Sequence, residues 1–206
     1  MPRKPRPLDR DTGVVRDASL VVIASEDTHA VRCYFDRFRP LRVQFKVLPT
    51  LDGHSSPEAI VARLDGFRDE YVINDEDELW YCGDIDHWGN ASHISNLTKV
   101  LQHCKQAKYH VALSKPCFEL WLFLHFLDVP SDVGTCRQIT GELSRLSAGY
   151  SKANGCGVDL TVEMIQKAMS RAEVLDLGTD EIPQTPTTRI FRIVNTLLER
   201  ESIQLR

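Results

Sequence analysis

The chain of 206 residues has no C-x-x-C pair, no Walker-type glycine loop and no apolar run long enough for a membrane span. A membrane-spanning helix needs about 18 or more apolar residues, so we expect a soluble protein. The missing glycine loop excludes the usual phosphate cradle of an ATPase. The six cysteines are scattered, and several lie in apolar runs. This distribution favours free, buried thiols and a reduced, cytoplasmic protein.

The charge of the chain does not indicate a broad basic surface for nucleic acid. The formal net charge is -4 at pH 7, which still leaves room for a local basic patch. Prolines and basic residues gather in residues 1–17, at Arg3, Lys4, Arg6 and Arg10, and no signal-like apolar segment follows them. This composition predicts a disordered tail rather than an export signal.

Strand-like and helix-like hydrophobic patterns alternate over the first half of the chain. Strands are predicted close to residues 20–24, 43–47, 79–83 and 109–113. Between strands, apolar residues recur with helical spacing, as at Val31, Tyr34 and Phe38. Four such strand-helix units predict an α/β fold with a mainly parallel, four-stranded sheet flanked by helices.

The alternation stops beyond residue 130. Three short amphipathic helices are predicted there, with apolar positions that begin near Cys136, Val162 and Ile190. The predicted organisation is a basic tail over residues 1–17, an α/β domain over residues 18–130 and a helical extension over residues 131–206. We expect the extension to pack on the α/β domain.

Three carboxylates directly follow two of the predicted strands. Glu26 comes after the first strand, and Asp84 and Asp86 come after the third. Functional groups of parallel sheets collect beyond the carboxyl ends of the strands, so the three side chains would meet if these strands are neighbours. Oxygen ligands of this kind suit Mg²⁺ or Mn²⁺. The alternative is that Asp84 and Asp86 only stabilise a loop and that Glu26 only complements the positive end of the following helix. The spacing of the residues leaves both interpretations open.

Four other polar residues lie where they would reach such a site. Glu119, in the first turns of an apolar helix, would either reach the metal edge or complement the helix dipole. His87 follows the third strand and would transfer a proton or bind a phosphate. The alternative is a loop histidine without a functional role. Lys115 and Lys152 would contact substrate phosphate, with solvated side chains as the alternative. His125 is interpreted as a histidine of the core.

Several stretches of the sequence resemble known families. Glu26 followed by the Asp84-x-Asp86 pair resembles the Toprim pattern of topoisomerases, primases and OLD-type nucleases. The stretches IASED...CYFDRF, VALSKPCFELWLFLHF, GYSK and PQTPTTRIFRIVNTLLE resemble the RloB-like family. Together they span most of residues 18–200. The sequence is therefore similar to RloB-like proteins, with a Toprim-like fold expected.

The resemblance implies a nuclease that acts as an effector of abortive-infection defence against phage. Glu26, Asp84 and Asp86 would bind Mg²⁺ or Mn²⁺, and either DNA or RNA, tRNA included, would be cleaved. Glu119 would assist catalysis. A separate AAA-type ATPase is the implied partner, and self-association is left open. The alternatives are a non-catalytic module that senses a nucleotide or nucleic acid with an ATPase partner, and another phosphoryl or nucleotidyl transferase.

Overall fold

The structure is a computed structural model in which strands alternate with helices along most of the chain. It describes residues 18–50, 55–85, 93–129, 134–147, 150–151, 159–176 and 180–205. The elements are β1 (Ser19–Ser25), α1 (Thr28–Phe35), β2 (Val43–Val47), α2 (Pro57–Glu70), β3 (Glu78–Asp84), α3 (Ile94–Ala107), β4 (His110–Lys115), α4 (Glu119–Leu124), α5 (Cys136–Leu146), α6 (Val162–Leu175), β5 (Thr187–Thr188) and α7 (Phe191–Leu198).

Within the described ranges, five strands form one sheet in the order β2-β1-β3-β4-β5. The first four strands are parallel, and β5 is antiparallel to β4. The α/β class and the positions of the first four strands are confirmed. The predicted count of four strands is corrected by β5, where Thr187 and Thr188 pair with Lys115 and Ser114. A strand of two residues is too short for an alternating pattern to reveal.

Side chains alternate between the two faces of the sheet, which separates two hydrophobic clusters. Within the fully buried β1, Val21 and Ile23 belong to one cluster, and Val22 and Ala24 belong to the other. Helices α1 and α4 to α7 cover the first face, while α2 and α3 cover the second. Burial on both faces explains why β1 is a continuous apolar run rather than an alternating one.

The order of the strands creates a crevice at the carboxyl end of the sheet. From β1 the chain passes through α1 to β2 on one side of β1, and then through α2 to β3 on the other side. The loops that follow β1 and β3 therefore lead to opposite faces. Ligands of parallel sheets bind at points where the strand order reverses in this way.

The segment after residue 130 contributes to both the sheet and its helical cover. It supplies α5, α6, β5 and α7, and the three helices share one hydrophobic cluster with β1 and α1. The domain boundary at residue 130 stays a prediction. The helices of the described ranges include none with the length and apolarity that crossing a membrane requires.

The cysteines depart from the expectation of free thiols. Cys117 and Cys136 are joined by a disulfide with their Cα atoms 5.6 Å apart, and Cys33 is also disulfide-bonded. The prediction was therefore wrong for these three residues. It is confirmed for Cys82 and Cys104, which are free and buried. Burial is the main cause that raises the pKa of the Cys104 thiol to about 12, so this thiol stays protonated and unreactive.

Candidate carboxylate site at the sheet edge

A small cavity lies at the carboxyl edge of the sheet, where β1, β3 and β4 end. Its volume is about 10 Å³, close to the space that one water molecule or one ion needs. Glu26 and Asp84 both line it, together with Ser25, Ser114 and Phe118. The structure thus brings two of the three predicted metal ligands to one cavity, while their role as ligands stays a prediction.

Glu26 is half-buried and directly follows β1, whose end is held by side chains from two other segments. Arg63 of α2 donates from Nη2 to the Ser25 carbonyl at 2.6 Å and from Nη1 to Thr50 Oγ1 at 3.0 Å. The Thr50 hydroxyl donates to the same Ser25 carbonyl at 3.2 Å. These hydrogen bonds fix the Ser25 carbonyl, which directly precedes Glu26, and so position the main chain of Glu26 at the edge of the sheet.

Asp84 is the last residue of β3, and its carboxylate connects the sheet to the start of α4. Its Oδ1 accepts a hydrogen bond from the main-chain N–H of Phe118 at 2.9 Å. The following N–H group, of Ile85, donates to the Ser114 carbonyl at 2.9 Å and so continues the pairing of β3 with β4. Hydrogen bonds to a charged acceptor are stronger than neutral ones, so the contact with Phe118 orients the carboxylate.

The negative charges of the two carboxylates act on the same buried tyrosine. Burial is the main cause of the raised pKa of the Tyr81 hydroxyl, and the charges of Glu26 and Asp84 are among the smaller causes. Carboxylates that lie close together repel each other, and a cation between them relieves this repulsion. The cavity is therefore electrostatically suited to a cation.

Glu119 lies in the buried interior next to this cavity. It is the first residue of α4 and is 2% exposed, and the Tyr150 hydroxyl donates to its Oε1 at 3.2 Å. Burial is the main cause of the raised pKa of Tyr150, followed by the charge of Glu119, with smaller effects from Asp27 and Asp84. Glu119 is not among the described residues that line the cavity. The pKa of Tyr150 is therefore raised both by Glu119 and by the carboxylates of Asp27 and Asp84 at the edge of the sheet.

The other predicted site residues have different outcomes. Asp86, His87 and Lys152 lie outside the described residues, so their predicted roles stay predictions. Lys115 ends β4, and its Nζ donates to the Gln184 carbonyl at 2.7 Å. Its ammonium group thus contacts the segment that leads into β5, a contact that its position in the sequence did not reveal.

His125 is confirmed as a histidine of the core. Its Nδ1 lies 2.8 Å from the Trp121 carbonyl, which can only accept, so Nδ1 carries the proton. Its Nε2 therefore accepts from the Tyr34 hydroxyl at 3.3 Å. Burial lowers the pKa of His125 to about 4, so the ring stays neutral at physiological pH.

Two of the polar residues that line the cavity, Asp27 and Ser114, were not among the predicted site residues. Asp27 caps α1, and its Oδ1 accepts from the N–H groups of His29 at 2.8 Å and Ala30 at 3.3 Å. An aspartate directly before a helix is a recognisable capping signal. The buried hydroxyls of Ser114 and Thr188 are hydrogen-bonded to each other at 2.9 Å. These two residues are 74 positions apart, so no local pattern could pair them.

Gly83, which lines the cavity, gives the first testable prediction. A Cβ atom at this position would lie 2.8 Å from Tyr81 Cε1 and 2.9 Å from the Tyr81 hydroxyl oxygen. Because the Tyr81 ring is almost fully buried, it has little room to move. We expect Gly83→Ala to lower the free energy of unfolding by about 1–3 kcal/mol, measured by urea denaturation followed by circular dichroism.

Gly66 in α2 supplies a matched control. A Cβ atom there would have no neighbour within 4 Å, and the position is exposed. Alanine is the better helix former, so Gly66→Ala should raise the free energy of unfolding by about 0.5–1 kcal/mol. Equal changes of the same sign in the two variants would contradict the clash at Gly83.

The fold and the cavity together define an α/β protein whose mostly parallel sheet carries carboxylates at its carboxyl edge. A family model described as RloB-like protein matches residues 21–197. The chain therefore belongs to the RloB-like protein family, and the resemblance to that family is confirmed. No curated protein and no solved structure matches the chain.

Proposed function

We propose that this protein is a Mg²⁺- or Mn²⁺-dependent nuclease with a Toprim-like domain, acting as the effector of an anti-phage abortive-infection system. The observation that carries the proposal is the pair of carboxylates, Glu26 and Asp84, on one ion-sized cavity at the carboxyl edge of the sheet. Membership of the RloB-like family supports the same proposal.

The residues at the cavity fit a hard divalent cation. Glu26 and Asp84 offer carboxylate oxygens from two neighbouring strands, and Mg²⁺ is typically bound through one or two carboxylates plus water and substrate phosphate. Asp86, two positions beyond Asp84, is the proposed third ligand. The lining also contains Cys82, but burial raises the pKa of this thiol, so it would not compete as a thiolate.

A bound Mg²⁺ or Mn²⁺ would supply the positive charge and Lewis acidity that a phosphodiester needs beside carboxylates. Glu26 would orient a water molecule and accept its proton. Asp84, oriented by the Phe118 N–H group, would keep its carboxylate directed at the cavity. His87, Lys115 and Lys152 are the proposed contacts to substrate phosphate.

The protein would act together with a partner protein. A separate AAA-type ATPase would provide ATP hydrolysis, because the chain has no Walker-type glycine loop. The substrate would be nucleic acid, either DNA or RNA, with tRNA among the RNA candidates, and the location would be the cytoplasm.

An incubation of the pure protein with its partner ATPase and labelled nucleic acids tests the proposal. We expect at least one of duplex DNA, single-stranded DNA, RNA or tRNA to be cut in Mg²⁺ or Mn²⁺. A chelator should abolish the cleavage, and an excess of Mn²⁺ should restore it. If folded protein cuts none of these substrates, the nuclease proposal fails. Substrate binding without cleavage would then favour a sensing module.

A further inference from the structure

A group of side chains of the types that bind metal ions lies outside the carboxylate cavity. It consists of Cys117, Glu119 and Cys136, and one ligand atom from each lies within 4.8 Å of the other two. Cys117 lies just before α4, Glu119 begins α4, and Cys136 begins α5. The packing of α4 against α5 thus gathers two sulfur atoms and one carboxylate in the interior.

The Glu119 carboxylate is oriented towards the sulfur atoms. Its Oε1 accepts from the Tyr150 hydroxyl at 3.2 Å, and its Oε2 lies 3.6 Å from Cys136 Sγ. Because this sulfur is bonded to Cys117, it carries no proton, so the second contact is not a hydrogen bond. Carboxylates that bind metal ions are usually hydrogen-bonded by a neighbouring group, and Tyr150 would orient Glu119 in this way.

We propose that reduction of the Cys117–Cys136 disulfide creates a binding site for a thiophilic divalent cation, with Zn²⁺ as the fitting biological ion. Two thiolates and one carboxylate are a ligand set that Zn²⁺ binds in tetrahedral geometry, with the fourth position left for water. Mg²⁺ and Mn²⁺ prefer oxygen ligands. The cluster therefore differs in chemistry from the cavity that contains Glu26 and Asp84.

The disulfide and the bound cation exclude each other because they use the same two sulfur atoms. A dithiol reductant breaks the S–S bond, supplies two electrons and two protons, and is itself oxidised to a disulfide. Binding of the cation then releases the two protons from the Cys117 and Cys136 thiols. Without a cation, two thiolates beside a buried Glu119 carboxylate would be strongly disfavoured, so metal binding and thiol deprotonation are coupled.

The cluster adjoins the carboxylate cavity through one residue. Phe118 lies between Cys117 and Glu119 in the chain, and its N–H group donates to Asp84. The thiophilic site nevertheless does not depend on nuclease activity, because its ligands and its preferred cation are different. It can therefore be tested independently of the proposed function.

Cobalt binding to the full-length protein tests this proposal, since Co²⁺ replaces Zn²⁺ and reports thiolate ligands by charge-transfer absorption. The protein is reduced under anaerobic conditions, the reductant is removed, and thiol titration of a denatured sample confirms that all six cysteines are free. We expect reduced protein to bind about one Co²⁺ at the thiolate site, with release of Co²⁺ by Zn²⁺. The oxidised protein should show no charge-transfer absorption. A fully reduced protein without this absorption overturns the proposal.

Four variants assign the absorption to the cluster. Cys136→Ser should lose it, and Glu119→Gln should weaken cobalt affinity by at least about 10-fold. Cys33→Ser is the matched control, because it removes another disulfide-bonded cysteine, and it should keep the absorption. Asp84→Asn should also keep it, since oxygen ligands give no thiolate band. Retention in Cys136→Ser, or loss in Cys33→Ser, would place the thiolates elsewhere and refute the assignment.

Discussion

Under the proposed nuclease function, the Glu26→Gln variant is expected to lose more than about 100-fold of the cleavage activity while it keeps its fold and its nucleic-acid binding. The expected loss is large because Glu26 is proposed as a direct metal ligand, and replacing a ligand costs more than replacing a group that only orients one. Glutamine has nearly the same shape as glutamate but neither its charge nor its basicity. The variant would bind the metal more weakly and would not accept a proton from water. Loss of one negative charge at the cavity also reduces repulsion of phosphate, so binding should stay equal or improve.

Three measurements separate chemistry from binding in this variant. Cleavage rates in Mn²⁺ give the activity, calorimetric titration gives the Mn²⁺ affinity, and filter binding gives the affinity for nucleic acid. Glu163→Gln is the matched control, because Glu163 is an exposed residue of α6 whose carboxylate pairs with Lys167. It should leave all three quantities unchanged. Wild-type activity in a folded Glu26→Gln protein would exclude Glu26 from catalysis.

Asp176→Ala is expected to lower the free energy of unfolding by about 3–5 kcal/mol, the range observed when one partner of a buried ion pair is removed. Asp176 follows α6, and its side chain is 6% exposed. Its Oδ1 lies 3.0 Å from Arg189 Nε, and its Oδ2 lies 2.7 Å from Arg192 Nη2. The substitution leaves the buried guanidinium of Arg189 without its carboxylate partner.

The ion pair of Asp176 with Arg189 also connects α6 to the sheet. Arg189 directly follows β5, its N–H group donates to the Leu113 carbonyl of β4, and its side chain donates to the Glu181 carbonyl at 2.8 Å. Loss of Asp176 should therefore loosen β5 as well as α6. Hydrogen exchange of the Arg189 amide would detect this local effect, because weaker local structure opens more often.

The control for Asp176→Ala is an ion pair on the surface. Arg171 and Asp128 are 2.9 Å apart, but the Asp128 side chain is 85% exposed. Exposed pairs contribute about 0–1 kcal/mol, so Asp128→Ala should change stability little. Both variants are compared by urea denaturation with the disulfides intact. Similar losses in the two variants would show that burial of Asp176 does not determine its contribution.

Sequence patterns alone predicted the α/β class, the positions of the first four strands and the places of Glu26 and Asp84 at strand ends. Strand position is a local property, because burial on both faces requires a short continuous apolar run such as the one in β1. Once the ends of β1 and β3 are known, the residues that follow them are known from the order of the chain. The amphipathic helices were visible for the same reason, since their apolar spacing repeats within a single element.

Which of these elements are neighbours could be learned only from the three-dimensional packing. The pairing of Ser25 with Cys82 places β1 beside β3 and brings Glu26 and Asp84 to one cavity. The disulfide joins cysteines 19 positions apart, and the contact of Glu119 with Tyr150 spans 31 positions. Neither separation carries a periodic signal. The disulfide forms where α4 packs against α5, and packing depends on shape and burial over the whole molecule rather than on distance along the chain.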